Sequence, residues 1–155
     1  MGGKESSHQF HEALHNSRSA QIDMRCVSEI SGQVVNFTEL RGTGLSSMEA
    51  TKSRDHSIFS SYKKNYYSVD TVSLTDLLKE KGAPKLIDYL SIDVEGAEYE
   101  ILRAHDWEAF KFQVITVEHN YESRRHDIHD LLTSNDYIRV LSEISLVDDW
   151  YVLKS

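Results

Sequence analysis

From about residue 69 onward, short apolar runs alternate with segments of helical spacing. Strands are predicted at Leu86–Asp93, Gln113–Glu118, Tyr137–Ile144 and Trp150–Leu153. Helices are predicted after Ser73, over about Ala97–His105, and around Ile128, Leu131 and Leu132. This alternation is typical of a parallel sheet with crossover helices, and the last strand follows too closely for a crossover. The pattern therefore predicts an α/β fold, with a mostly parallel sheet and an antiparallel last strand.

The N-terminal part has a weaker pattern. Residues 1–20 are polar, and strands are predicted at Gln21–Val27 and Gln33–Glu39, joined through a turn at Ser31-Gly32. The stretch from about Arg41 to Ser68 has no clear period and is predicted to be a loop, and its residues Gly42–Ser68 are a candidate lid over a site. We therefore expect a polar segment at 1–20 and a single domain over 21–155.

Charge and composition exclude several classes of function. The chain has 155 residues and a net charge of −8, without the clustered Lys and Arg that nucleic-acid binding needs. Its single cysteine, Cys26, excludes an internal disulfide and is expected to be a buried thiol. No apolar run has the length of a membrane span and no signal peptide is visible, so no membrane partner and a cytoplasmic location are expected.

Candidate chemistry lies where two predicted strands end. Asp93 and Glu95 close one strand, and Glu118, His119 and Asn120 close the next. If these strands are neighbours, their acids and the imidazole converge at one rim of the sheet, where ligands of open α/β sheets bind. Such a group of side chains suits general-base chemistry or a bound cation, and a metal-dependent hydrolase using Asp93, Glu95, Glu118 and His119 is one hypothesis.

The acids just after Asp93 and Glu95 have a simpler interpretation. Glu98 and Glu100 are expected to complement the positive end of the helix that begins near Gly96. Gly96 itself suits a sharp change from strand to helix or the close passage of a ligand, since it has no Cβ.

A resemblance to a known family is carried by three segments. Ile87–Leu102 contains Asp-Val-Glu-Gly-Ala-Glu, Val114–Asn120 reads Val-Ile-Thr-Val-Glu-His-Asn, and Val147–Val152 reads Val-Asp-Asp-Trp-Tyr-Val. Together they resemble the C-terminal half of the FkbM family of S-adenosylmethionine-dependent methyltransferases. The resemblance implies a Rossmann-like class I sheet, S-adenosylmethionine as cofactor, and a small-molecule acceptor whose hydroxyl is methylated, on a sugar or a natural product. It implies Asp93 or His119 as the base, with Glu95, Glu118 and Asn120 orienting the substrate.

One part of the family's pattern is missing. Before Gln21 there is no apolar strand followed by a glycine-rich turn, and no second strand that ends in the acid for the ribose. We therefore expect an N-terminally truncated class I sheet, in which no cofactor-binding residue can be named and the chain alone binds the cofactor poorly. An inactive remnant that serves as a binding or assembly module is the alternative, with an exposed sheet edge available for homo-oligomer formation.

Overall fold

The computed structural model describes residues 19–40, 46–48, 64–94, 96–119 and 124–154. The strands in this part of the chain are β1 (Cys26–Ser28), β2 (Val34–Leu40), β3 (Ser46–Met48), β4 (Lys64–Ser73), β5 (Leu86–Ile92), β6 (Lys111–Glu118), β7 (Tyr137–Val140) and β8 (Asp148–Leu153). The helices are α1 (Leu74–Glu80), α2 (Glu98–Ala104) and α3 (Arg124–Ser134). Elements of both kinds alternate along the second half, as an α/β fold requires.

The first sheet has the strand order β1-β4-β2-β3. Strand β4 lies between β1 and β2, parallel to β1 and antiparallel to β2. The prediction of one long loop over Arg41–Ser68 is wrong where β3 and the start of β4 fall within it. The remainder of that segment, which makes up most of the candidate lid, lies outside the described residues. Cys26 is half-buried at the start of β1, rather than in the core as expected.

The second sheet has the strand order β5-β6-β8-β7 and carries the candidate site. Strands β5 and β6 are parallel neighbours, and β8 runs antiparallel to both β6 and β7, so the prediction of an antiparallel last strand is confirmed. The expectation of one mostly parallel sheet is wrong for the described residues, because they form two mixed sheets. Strand β7 already ends at Val140 rather than at the predicted Ile144, and β8 begins at Asp148, two residues before the predicted Trp150.

Local signals explain where the helices begin and end. The Ser73 hydroxyl accepts a hydrogen bond from the Asp76 amide at 3.1 Å, which is the expected N-cap of α1. Gly82, with φ +64°, follows the end of α1. Before α2 the chain turns at Gly96, whose φ of +109° is open to glycine and strained for other residues. That glycine lets a strand change into a helix within a few residues.

One hydrophobic core joins these elements. Its buried members come from all three described helices, from β5 to β8, and from the α2–β6 connection: Leu74, Ile92, Ala97, Ile101, Leu102, Trp107, Phe112, Ile115, Val117, Ile128, Leu132, Tyr137 and Tyr151. Strand β6 is the most deeply buried because it has β5 on one side and β8 on the other. Among the described residues, none of the helices has the length and apolar character to cross a membrane.

Strand β5 is an edge of its sheet within the part of the chain that the structure describes. Leu86 and Tyr89, which point to opposite faces, are each about half exposed. Parallel strands are normally covered on both faces and paired on both sides. Within the described residues, β5 therefore has a paired strand on one side and an open edge on the other.

Candidate functional site

Three carboxylates meet at the rim formed by the carboxyl ends of β5 and β6. Ile92 pairs with Val117 in the parallel register, so Asp93 and Glu118 follow at adjacent strand ends. One carboxylate oxygen from each of Asp93, Glu98 and Glu118 lies within 4.8 Å of those of the other two. Asp93 is exposed, Glu118 is half-buried and Glu98 is buried. The predicted meeting of acids from two strand ends is therefore confirmed for Asp93 and Glu118.

Glu98 joins this cluster because of the sharp turn before α2. Its carboxylate accepts hydrogen bonds from the backbone amides of Val94 at 2.9 Å and Gly96 at 3.0 Å. Its place in the first turn of α2 agrees with the expected complement to the helix dipole. The structure adds that Glu98 fixes the β5–α2 junction and faces the rim acids. The sequence signal for this was its place in the Asp-Val-Glu-Gly-Ala-Glu run.

The cluster has the donor set of a hard cation site. Carboxylate oxygens are the ligands that Mg²⁺ and Ca²⁺ prefer, and Asp93, Glu98 and Glu118 could each supply one. This set differs from the one in the hydrolase hypothesis, because Glu98 is in it and His119 is not. The hydrolase remains a prediction.

His119 lies directly after β6, with its side chain only 1% exposed. Its backbone N–H donates to the carbonyl of Val147 at 2.8 Å, and its Nε2 lies 3.8 Å from Oδ1 of Asp149. Burial lowers the pKa of His119, and the charge of the Asp149 carboxylate acts in the opposite direction. The lowered pKa favours the neutral imidazole, which lies buried against Asp149.

Asp149 is a buried charge that the sequence did not single out. Arg125 donates to it twice, from Nε to Oδ2 at 2.8 Å and from an Nη to Oδ1 at 2.7 Å, and an Nη of Arg139 lies 3.6 Å from Oδ2. Burial acts to raise the pKa of Asp149, but the hydrogen bonds and charge of Arg125 outweigh it and bring the pKa below its usual value. The carboxylate thus joins β8 to α3 and β7 next to His119. An acid at the start of a strand gives no sequence signal of such a role.

The remaining predicted residues are placed less completely. Glu95 and Asn120 lie outside the described residues. His105, which ends the helix predicted over Ala97–His105, is buried after α2, where its ring contacts the Thr75 hydroxyl and the Phe110 carbonyl, each at 3.1 Å. The structure therefore brings Asp93, Glu118 and the backbone of His119 to one rim.

Comparisons with known proteins identify the family of this chain. The model of the FkbM methyltransferase domain matches residues 11–139, which is more than four fifths of the chain. Searches among curated proteins and among solved structures find no match. The matched range includes the β5–α2 junction and β6, which supply the three rim carboxylates. The chain belongs to the FkbM methyltransferase family.

Proposed function

We propose that this chain forms the acceptor side of an S-adenosylmethionine-dependent methyltransferase that acts on a hydroxyl of a small molecule, such as a sugar or a natural product. The observation that supports this proposal most directly is that the carboxylates of Asp93, Glu98 and Glu118 meet beyond the ends of two neighbouring parallel strands. Ligands of open α/β sheets bind at this end of the strands, and the chain belongs to a methyltransferase family. A cytoplasmic location is part of the same proposal.

The burial of the two candidate bases distinguishes their roles. Asp93 is exposed at the rim, where a substrate hydroxyl can approach its carboxylate and lose a proton to it. His119 is buried against Asp149, where a substrate hydroxyl has no access to its ring. Glu118, half-buried between them, is placed to orient the acceptor by a hydrogen bond to a second hydroxyl. We therefore assign the base to Asp93 rather than to His119.

The described residues do not form the cofactor site that is typical of a class I methyltransferase. S-adenosylmethionine supplies an electrophilic methyl group when it is bound, and class I folds hold it on a glycine-rich turn. The described glycines, Gly32, Gly82 and Gly96, stand singly along the chain and form no such turn. The open side of β5 supports pairing with a further strand, from the same or another polypeptide, that would bring the turn with it.

Methyl transfer tests the assignment of Asp93. We expect the chain, supplied with labelled S-adenosylmethionine at millimolar concentration and hydroxyl-bearing acceptors, to transfer label to oxygen. Asp93→Asn should reduce the rate by about a hundredfold or more, which is the usual contribution of a general base. Asp88→Asn is the matched control, because Asp88 is an exposed carboxylate on the same strand and should change the rate less than about twofold. Equal rates for Asp93→Asn and the parent chain would contradict the assignment.

Calorimetry and sedimentation test the open edge. We expect no measurable binding of S-adenosylmethionine to the 155-residue chain at micromolar concentration, and tight binding would contradict the need for a further strand. The same edge supports the alternative role as an assembly module, because a second copy could pair there. A stable dimer in sedimentation equilibrium, together with no methyl transfer, would favour assembly over catalysis.

A further inference from the structure

An apolar surface adjoins the acidic rim. Residues 141–147, here called the apolar turn, connect β7 to β8. Ile144 and Leu146 are 72% and 73% exposed, and Leu141 and Val147 are also exposed. The segment contains one charged residue, Glu143. Single exposed apolar residues are normal, but four within seven residues make this segment a candidate for binding a ligand or a partner.

Hydrogen bonds hold the apolar turn in one conformation. The carbonyl of Leu141 accepts from the amide of Ile144 at 3.1 Å, and from the amide and the hydroxyl of Ser145, each at 3.0 Å. Leu141 adopts φ +57°, which is uncommon for a residue with a large side chain and costs roughly 1 kcal/mol. Strain of this kind concentrates at sites of function. These bonds order the first part of the turn, and the side chains of Ile144 and Leu146 are exposed on it.

The apolar turn and the acids occupy the same end of the sheet. The carbonyl of Val147 accepts from the His119 amide at 2.8 Å, and Glu118 pairs with Asp148 at the start of β8. Asp93 lies two strands away, at the end of β5, so a span of about 10 Å separates it from β8. A small molecule of ordinary size can reach both surfaces.

We propose that the apolar turn binds an apolar portion of the methyl acceptor, so that the acceptor is an amphipathic hydroxyl compound such as an alkyl glycoside. This inference rests on the proposed function and names its substrate class. The acidic rim hydrogen-bonds the hydroxyl-bearing end, while Ile144 and Leu146 cover the tail. A net charge of −8 opposes an anionic membrane surface as the occupant of the turn.

Two glucosides that differ in their alkyl chains test this inference without any methyl transfer. Calorimetric titration with octyl β-glucoside, below its micelle concentration, is compared with methyl β-glucoside. We expect the octyl compound to bind at least about tenfold more tightly, because each buried methylene contributes a factor of roughly four. The double variant Ile144→Ser, Leu146→Ser should bring the ratio to within about twofold. Val34→Ser, at a 68% exposed position on β2, is the control and should leave the ratio unchanged.

Three results would overturn the inference. Equal affinity for the two glucosides would show that the alkyl chain makes no apolar contact. An undiminished ratio of the two affinities in the double variant would show that the contact lies elsewhere on the protein. Binding to phosphatidylcholine vesicles that depends on Ile144 and Leu146, without any preference for the soluble octyl compound, would identify a membrane surface instead. If the chain prefers octyl glucoside but never transfers a methyl group, the alkyl-binding turn is supported and only the proposed function is refuted.

Discussion

Replacing Asp149 with alanine should destabilise the fold far more than a substitution at a neighbouring acid. The Asp149 side chain is 2% exposed and accepts two short hydrogen bonds from Arg125. Its carboxylate also lies near Arg139 and His119. Because these groups come from α3, β7 and the end of β6, the substitution removes a link between three elements at the rim.

The magnitude follows from the burial of the two partners. Breaking a fully buried ion pair costs about 3–5 kcal/mol, because the remaining charge is left in a poorly solvated position. The Arg125 side chain is 29% exposed, so water can solvate part of its guanidinium. We therefore expect Asp149→Ala to lower the free energy of unfolding by about 3 kcal/mol, the low end of that range. For a chain of this length the Tm should fall by roughly 6–12 °C.

Urea unfolding followed by tryptophan fluorescence measures this loss. Asp148→Asn is the matched control, since Asp148 is the preceding residue of β8 and is less buried. Its effect should be about 0.5 kcal/mol or less. A loss below about 1 kcal/mol for Asp149→Ala would refute the view that this carboxylate holds the rim elements together.

The effect of Asp149→Ala on stability should also depend on pH. The pKa of Asp149 is lower in the folded protein than in the unfolded chain, so the ionised carboxylate stabilises the fold at pH values above the unfolded pKa of about 4. This contribution is lost as the pH falls through the folded pKa. The difference in stability between the parent chain and Asp149→Ala should thus be constant near neutral pH and shrink below about pH 4. A difference that stays unchanged in strong acid would contradict the ionic origin.

Two further substitutions test the junctions that position the site. Tyr137→Phe should cost about 2 kcal/mol in urea unfolding, because the buried hydroxyl donates to the Phe112 carbonyl and accepts from its amide; a neutral effect would show that these bonds add nothing. Glu98→Ala should cost about 2 kcal/mol, because two junction amides lose their acceptor. Glu100→Ala, which removes a more exposed ion pair with Arg124, should cost less than about 1 kcal/mol, and equal losses would refute a special role for Glu98.

Much of the site-bearing half could be predicted from the sequence because its signals are local. The apolar run before Asp93, the glycine at 96 and the helical spacing after it predict the β5–α2 junction, and the structure has it. The N-cap at Ser73 is a contact over three residues, so it is also readable from the chain. The antiparallel course of β8 follows from the short connection before it.

Other features depend on contacts between distant residues. Strand β4 pairs with both β1 and β2, across connections whose polar composition resembles a loop. The strand at Tyr137 ends at Val140, short of the predicted Ile144, because Leu141 turns into the left-handed region. His105 has the polarity of a surface residue, and only the packing of Thr75 and Phe110 around it makes it buried.

The sequence by itself determined the family, the alternation of strands and helices, and the placement of Asp93 and Glu118 at strand ends, because each depends on residues that are near one another in the chain. Only the tertiary structure decided that Glu98 joins those acids, that His119 is buried against Asp149, and that an apolar turn adjoins the rim. The physical reason is that burial and ion pairing depend on which elements meet in space. For Asp149 these elements are α3, β7 and the end of β6, and its partners in them lie 10 to 30 residues away in the chain.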